Sequence, residues 1–195
     1  VRTDFSAVID LKHADSTNCE HPIHVNLDVA LVYSRPVDGG PVQVEVWRAF
    51  SHATNDSIFH HRLMDDIYQH YFTLGRLTGT FYIFSDRCAK QYSGNRNFGG
   101  LVEKAILHGI TYEHWFSEPN HGKGPHDGAG YDAKNYLRQA EIRREVTCKH
   151  AYHVYSFLKK NMRKPQSSKR RGRFECYHWR YYHGSNDTVP GVDYD

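Results

Sequence analysis

Alternating apolar and polar residues mark two neighbouring strands in the first part of the chain. Residues 23–29 alternate strictly and residues 30–33 continue as an apolar run, which predicts a strand that is half exposed at first and buried later. Residues 42–47 alternate again after a turn-forming stretch, 35–41, that holds two prolines and two glycines. The pattern therefore predicts an antiparallel pair of strands.

A further strand is predicted ahead of this pair, at residues 2–11. It mixes apolar and β-branched residues around Asp4 and Asp10. Because these two acids are six positions apart, they are expected to share one face of a strand whose side chains alternate.

The rest of the chain changes to helical spacing interrupted by apolar runs. Apolar residues that recur along one stripe predict a helix that starts after Asn55 or Asp56 and ends near Gly75. The elements predicted beyond it are a buried strand at 79–84, a helix at 98–108, a strand at 110–116 and a polar helix at 127–146, which residues 150–160 extend or follow as a separate helix.

This order, β-β-β-α-β-α-β-α, predicts an α/β fold built on a mixed sheet. Strands joined by short turns are antiparallel, whereas strands reached through helices lie parallel to a neighbour. The ribonuclease H-like fold has the same order, and its name is used here by analogy.

Composition agrees with a folded chain of one domain and a tail. The 195 residues suffice for a substantial core, and 39% of them are hydrophobic. No apolar run approaches the roughly 20 residues that span a bilayer, which argues against a membrane protein. The chain starts at Val1 without a charged and apolar leader, which favours a piece of a longer protein. The four cysteines are widely spaced, unlike a disulfide scaffold, and favour a reducing compartment.

The C-terminal quarter divides into a basic and an aromatic part. We expect an α/β domain at 1–158, a basic linker at 159–173, and an aromatic segment with a tail at 174–195. The aromatic side chains of 174–182 can stack on unpaired bases or pack on the domain as a last strand, and packing is the favoured interpretation because exposed aromatics are adhesive. The cations that can bind phosphate in a salt-dependent way are Lys159, Lys160, Arg163, Lys164, Lys169, Arg170, Arg171 and Arg173. A nuclear localisation signal or a solvated tail is the alternative for this run.

Three acids stand where the predicted elements can bring them together. Asp4 lies on the first strand, Asp86 ends the fourth strand, and Asp127 opens the last long helix. The first and fourth strands are neighbours in a ribonuclease H-like sheet, so these carboxylates can converge. Clustered carboxylates need a cation, and their oxygen atoms select Mg²⁺ or Mn²⁺. Two such ions can cleave or transfer a phosphodiester strand, although an Asp at such positions is often only a cap.

Several segments together resemble the transposase-like proteins of eukaryotic genomes, over about residues 1–145. Those proteins carry D-F-S, S-D-x4-Q-Y and H-G-K-G-P-x-D-G segments, which are matched here at 4–6, 85–92 and 121–128. The resemblance implies a DDE/D core with a ribonuclease H-like fold, DNA as substrate, a nuclear location, and Asp4, Asp86 and Asp127 as the catalytic and metal-binding acids. Arg87 and His126 stand where the family has glycine and cysteine.

Further residues of these segments are candidates for supporting roles. Gln91 can position the substrate, while His121 and Lys123 can contact a phosphate or assist proton transfer. Asp10, Asp132 and Glu141 are the alternatives for the acids of the first strand and the helix.

Two groups of cysteine and histidine share one spacing. They are Cys19, His21 and His24, and then Cys148, His150 and His153, with a Cys176-x-His178 pair downstream. Clusters of this kind can combine into a structural Zn²⁺ site, but neither spacing is that of a standard zinc finger.

The function expected from the sequence is that of a transposase or integrase. The chain would cut or join DNA with two Mg²⁺ or Mn²⁺ ions, and as a homodimer because transposition pairs two ends. The alternative is a domesticated module that keeps the fold and the basic run and binds DNA or protein without catalysis.

Overall fold

The fold of this chain is a mixed α/β fold. A computed structural model describes residues 2–5, 9–11, 23–35, 39–52, 57–77, 79–87, 92–117, 124–162 and 176–183. The strands of these residues are β1 (Arg2–Phe5), β2 (Ile9–Leu11), β3 (Ile23–Ser34), β4 (Gln43–Ser51), β5 (Thr80–Ser85), β6 (Thr111–Phe116) and β7 (Cys176–Tyr181). The helices are α1 (Ser57–Thr73), α2 (Asn95–His108), α3 (Pro125–Ile142) and α4 (Ala151–Asn161).

The strands form a sheet in the order β6-β5-β1-β3-β4-β7, and β2 pairs with β3 beside this path. β3 is antiparallel to both β1 and β4. β5 is parallel to β1 and β6 is parallel to β5. The prediction of early antiparallel and later parallel strands is therefore confirmed.

The prediction that residues 2–11 keep one alternating register is wrong. Phe5 pairs with Asp28 while Ile9 pairs with Val25, so four steps along the first strand match three along β3. This one-residue shift places Asp4 opposite Val29 and Asp10 opposite His24, which lie on opposite faces of β3, so the two acids do not share a face.

Two hydrophobic clusters cover the two faces of the sheet. One joins alternate residues of β3 and β4, such as Val29 and Phe50, to α3 and α4. The other joins the remaining faces of these strands and β5 to α1 and α2 through residues such as Trp47 and Ile67. The helices thus form a layer on either side of the sheet. None of the described helices is long and apolar enough to cross a membrane.

The aromatic C-terminal segment packs on the domain, as favoured from the sequence. β7 runs parallel to β4 from the Glu45–Cys176 pair to the Phe50–Tyr181 pair. Trp179 of this strand is buried in the cluster beneath α3 and α4. An exposed strand of aromatic residues would be adhesive, and pairing with β4 removes that exposure.

The last two helices differ from their predicted boundaries. The helix predicted to run to residue 146 ends at Ile142, because Arg144 adopts the left-handed conformation with φ of 57°. The helix α4 is separate and extends to Asn161, so Lys159 and Lys160 belong to its last turn.

Candidate functional site

The sheet brings the positions of Asp4 and Asp86 next to each other. Arg2 of β1 pairs with Phe84 of the parallel strand β5. Extending this register by two residues sets Asp4 opposite Asp86, which follows the last residue of β5. The structure describes Asp4 by its backbone alone. The carboxyl ends of two neighbouring parallel strands thus hold the first two predicted acids, as is usual for sites in α/β sheets.

Helix α3 starts over the same part of the sheet. Asp4 pairs with Val29, and Val29 pairs in turn with Arg48. The buried guanidinium of Arg48 donates a hydrogen bond from Nη2 to the carbonyl oxygen of Ala129, at 3.1 Å. This hydrogen bond, together with the packing of α3 against β1 and β3, sets the first turns of α3 on the face of the sheet that carries Val29.

Arg48 keeps α3 in this place from inside the core. Its guanidinium lies 4.6 Å from the ring centroid of Tyr177 and 5.0 Å from that of Trp179. Burial lowers its pKa to about 10, so the side chain remains a cation at neutral pH. A cation packed between aromatic faces is stabilised by their quadrupoles, which partly offsets its desolvation.

Asp127 acts as a cap of α3. Its Oδ2 accepts a hydrogen bond of 2.6 Å from the backbone N–H of Gly124, and its own N–H donates to the carbonyl of Gly124. His126 Nε2 lies 3.7 Å from the same oxygen. The capping role that is common for acids at helix starts is therefore present. The side chain is nevertheless 43% exposed.

A chain of hydrogen bonds holds the backbone at Asp86. Ser85 Oγ donates to the carbonyl oxygen of Asp86 at 2.8 Å, and its oxygen lies 2.8 Å from Nε2 of His114. Asn97 Nδ2 lies 3.4 Å from Nδ1 of the same imidazole. Because the Ser85 hydroxyl donates to the Asp86 carbonyl and the Asn97 amide donates to Nδ1, His114 is assigned as the tautomer that accepts at Nδ1 and donates from Nε2 to the Ser85 oxygen. The imidazole therefore orients Ser85 and does not act as its base.

Residues that follow β5 and β6 support this chain of hydrogen bonds. Asn97 Nδ2 also donates to the carbonyl of Tyr92, which is fully buried in the core. The N–H of Ser117, directly after β6, donates to the carbonyl of Ser85 at 2.9 Å. Sequence reasoning missed His114 and Ser117. Their only signal was the alternation of β6, which turns His114 toward the buried face.

A second buried polar contact crosses from the sheet to α1. Asp28 of β3 is fully buried, and its Oδ2 lies 3.0 Å from Nδ1 of His60 in α1, which is 1% exposed. The ring of His60 meets that of Tyr92 edge-on at 4.8 Å. The expectation that β3 is half exposed at first is thus wrong, because helices on both faces of the sheet bury the strand from Val25 to Val32 and α1 supplies a partner for its central acid.

Two histidines near this site are expected to lower the stability of the protein in acid. Burial lowers the pKa of His61 and of His114 from 6.5 to about 4. As the pH falls, these histidines bind protons in the unfolded chain before they do so in the folded chain. The free energy of unfolding is therefore highest above about pH 6.5 and decreases between pH 6.5 and 4, by up to about 1.4 kcal/mol per pH unit for each group. The free energy of unfolding, measured with urea at several pH values between 7 and 4, should depend less on pH in His114→Gln than in the parent chain. In His24→Gln, at an exposed position, it should depend on pH as in the parent. Equal slopes for the parent and His114→Gln would contradict the assignment.

The other predicted nucleic-acid contacts lie mostly outside the described residues. Lys159 and Lys160 are exposed in the last turn of α4, where Lys159 Nζ donates to the hydroxyl of Tyr155 at 2.8 Å. The candidates outside the described residues are Gln91, His121, Lys123, Arg163, Lys164, Lys169, Arg170, Arg171 and Arg173.

The structure describes one residue of the first predicted zinc group and all three residues of the second. Cys19 and His21 lie outside the described residues, and His24 is exposed on β3. Cys148 is buried in the core, where burial raises its thiol pKa to about 12, while His150 caps α4. The ligand atoms of Cys148, His150 and His153 do not all approach within 4.8 Å. Over the described part of the chain, the group that does is Glu45, Cys176 and His178.

Comparison with protein families assigns the chain to a family whose function is unknown. A family model described as "Domain of unknown function (DUF8701)" matches residues 49–168, which is more than half of the chain. The chain belongs to this family. The DUF8701 match runs from the end of β4 through α4, so it includes Asp86 and Asp127, whereas Asp4 precedes it and β7 follows it. No curated protein and no solved structure matches the chain.

Proposed function

We propose that this DUF8701 protein is a metal-dependent DNA strand-cleaving and strand-transferring domain of the DDE/D transposase type. The observation that carries the proposal is the register of the sheet, in which Asp4 of β1 and Asp86 after β5 belong to neighbouring parallel strands, while the start of α3 packs over the same face.

The strand order supports a ribonuclease H-like core for this proposal. β4, β3 and β1 form an antiparallel set, and β5 and β6 continue from β1 in parallel. This is the arrangement expected of that fold, with β7 and α4 as additions. A shared fold does not by itself imply a shared activity, so the proposed activity depends on the three acids.

The donor set fits Mg²⁺ or Mn²⁺. Asp4, Asp86 and Asp127 would hold the ions, since carboxylate oxygens are the ligands these cations prefer. Bound divalent ions activate the attacking oxygen and stabilise the leaving oxygen of a phosphodiester. The chain's own contribution is placement. Ser85 and His114 hold the backbone at Asp86, and Arg48 holds the helix that carries Asp127.

Exposed aromatic side chains beside Asp86 support a nucleic-acid substrate. Tyr82, Phe84 and Trp115 are 47%, 44% and 56% exposed, and Phe84 pairs with Trp115 across β5 and β6. Aromatic faces stack on bases without sequence preference. Lys159 and Lys160 in the last turn of α4 add cations whose contacts with DNA should weaken with salt.

One observation favours the second candidate function, a binding module without catalysis. Asp127 Oδ2 already accepts the cap hydrogen bond from Gly124, and the cationic side chain of Arg87 follows Asp86 directly. A domain that has lost its metals would keep both features and still bind DNA through its basic residues.

The acids of α3 separate the two functions. Plasmid nicking in Mg²⁺ or Mn²⁺ should fall by at least about a hundredfold in Asp127→Asn, since a lost metal ligand removes several kcal/mol of stabilisation and each 1.36 kcal/mol is a factor of ten. Asparagine keeps an oxygen for the Gly124 cap, so the helix should remain. Asp132→Asn, on the exposed side of the same helix, should keep the activity.

The contrary outcomes are distinct. If Asp132→Asn lost nicking while Asp127→Asn kept it, Asp132 and not Asp127 would be the third acid of the site. Salt-sensitive DNA binding without nicking by the parent chain would favour the binding module.

A further inference from the structure

Three side chains with metal-ligand chemistry meet at the edge of the sheet formed by β7. Glu45 of β4 pairs directly with Cys176 of β7, and His178 follows two residues later on the same strand. One ligand atom of each, a carboxylate oxygen, the thiol sulfur and an imidazole nitrogen, lies within 4.8 Å of the other two. We propose that Glu45, Cys176 and His178 bind a zinc ion.

The mixed donor set selects zinc over the hard ions of the acid site. Thiolate and imidazole are preferred by Zn²⁺, whereas Mg²⁺ and Mn²⁺ prefer oxygen ligands alone. Tetrahedral zinc with bonds of about 2.0–2.3 Å separates its ligand atoms by roughly 3–4 Å, so small side-chain rotations are sufficient. Binding converts the Cys176 thiol to a thiolate and releases its proton to solvent.

The surroundings hold two of the ligands and leave the third open to solvent. Glu45 is buried, and its Oε2 lies 2.6 Å from Nε2 of His178. Trp47 stacks on the His178 ring at 4.1 Å with an interplanar angle of 14°, which fixes the orientation of the ring. Cys176 is exposed, so an ion can enter from its side. Supports of this kind usually surround metal ligands.

A fourth position is within reach of α1. The ring of His70 meets the ring of His178 edge-on, with 4.8 Å between centroids. Water or His70 can complete the four ligands of zinc. Because the ligands come from β4 and β7, the ion would fasten the last strand, which follows the basic run 159–173, to the sheet.

Metal analysis and cobalt spectroscopy test this site. The full chain, stripped with chelator, should take up one equivalent of Zn²⁺, and Co²⁺ in its place should give a thiolate-to-cobalt charge-transfer band in the near ultraviolet. Cys176→Ser should abolish the band, and His178→Gln should weaken Zn²⁺ affinity by at least about tenfold.

Matched variants of the second Cys/His group are the controls. Cys148→Ala and His153→Gln should keep both the band and the affinity. No stoichiometric Zn²⁺ in the parent chain would overturn the proposal, as would a band that survives Cys176→Ser or disappears in Cys148→Ala. Co²⁺ bound by the carboxylates of Asp4, Asp86 and Asp127 would give no thiolate band. The band therefore tests the zinc site separately from the proposed DNA cleavage.

Discussion

Replacing Asp86 with asparagine is expected to lower metal-dependent nicking of DNA by at least about a thousandfold. The change replaces a negatively charged carboxylate of the proposed metal site with a neutral amide. A loss of about 4 kcal/mol of transition-state stabilisation corresponds to a thousandfold lower rate. The fold should persist, because Ser85 Oγ bonds to the backbone carbonyl of residue 86 and not to its side chain.

The assay compares initial nicking rates of supercoiled plasmid in Mg²⁺ and in Mn²⁺ for the parent chain and the variant. Glu103→Gln removes one negative charge from the exposed side of α2 and should leave the rate unchanged. Ser85→Ala removes the hydrogen bond to the Asp86 carbonyl and should give a smaller loss than Asp86→Asn. Equal nicking by the parent chain and Asp86→Asn would refute the assigned role of this acid.

Replacing Asp28 with alanine should lower the free energy of unfolding by about 3–5 kcal/mol. The side chain is fully buried and its partner His60 is 1% exposed, so the change leaves a buried imidazole without this acceptor. For a chain of this size, such a loss lowers the melting temperature by roughly 6–20 °C. Urea unfolding and calorimetry measure the two quantities.

A series of variants identifies the cause of the loss. Asp28→Asn keeps an acceptor oxygen for His60 and should lose less stability than Asp28→Ala. Glu103→Ala, at an exposed position, should stay within about 0.5 kcal/mol of the parent. In a double-mutant cycle with His60→Ala, the two changes should not be additive because the residues are in contact. Additive losses would show that the contact between Asp28 and His60 does not contribute.

Local patterns were sufficient for most of the secondary structure. Alternation along 23–33 and 42–47 predicted the β3–β4 pair, and helical spacing predicted the elements that became α1 and α3. These patterns are visible because a strand or helix repeats its exposure every 2 or 3.6 residues. The motif containing Ser85 and Asp86 likewise pointed to the end of β5 without any structure.

Contacts between distant residues were decided only by the tertiary structure. The sequence showed Asp28 as a polar residue of an alternating strand and left Arg48 just beyond the next one, but partners on α1, α3 and β7 allow both to be buried.

The metal cluster illustrates the same limit. Glu45 and His178 are 133 positions apart, so no local period relates them. The register shift between β1 and β2 is a pairing property as well, since it depends on which residues of β3 lie opposite. The sequence by itself determined the elements and the candidate acids of this DUF8701 protein. The tertiary structure alone decided which of their side chains meet, because burial and pairing depend on the neighbours that each element acquires in the folded sheet.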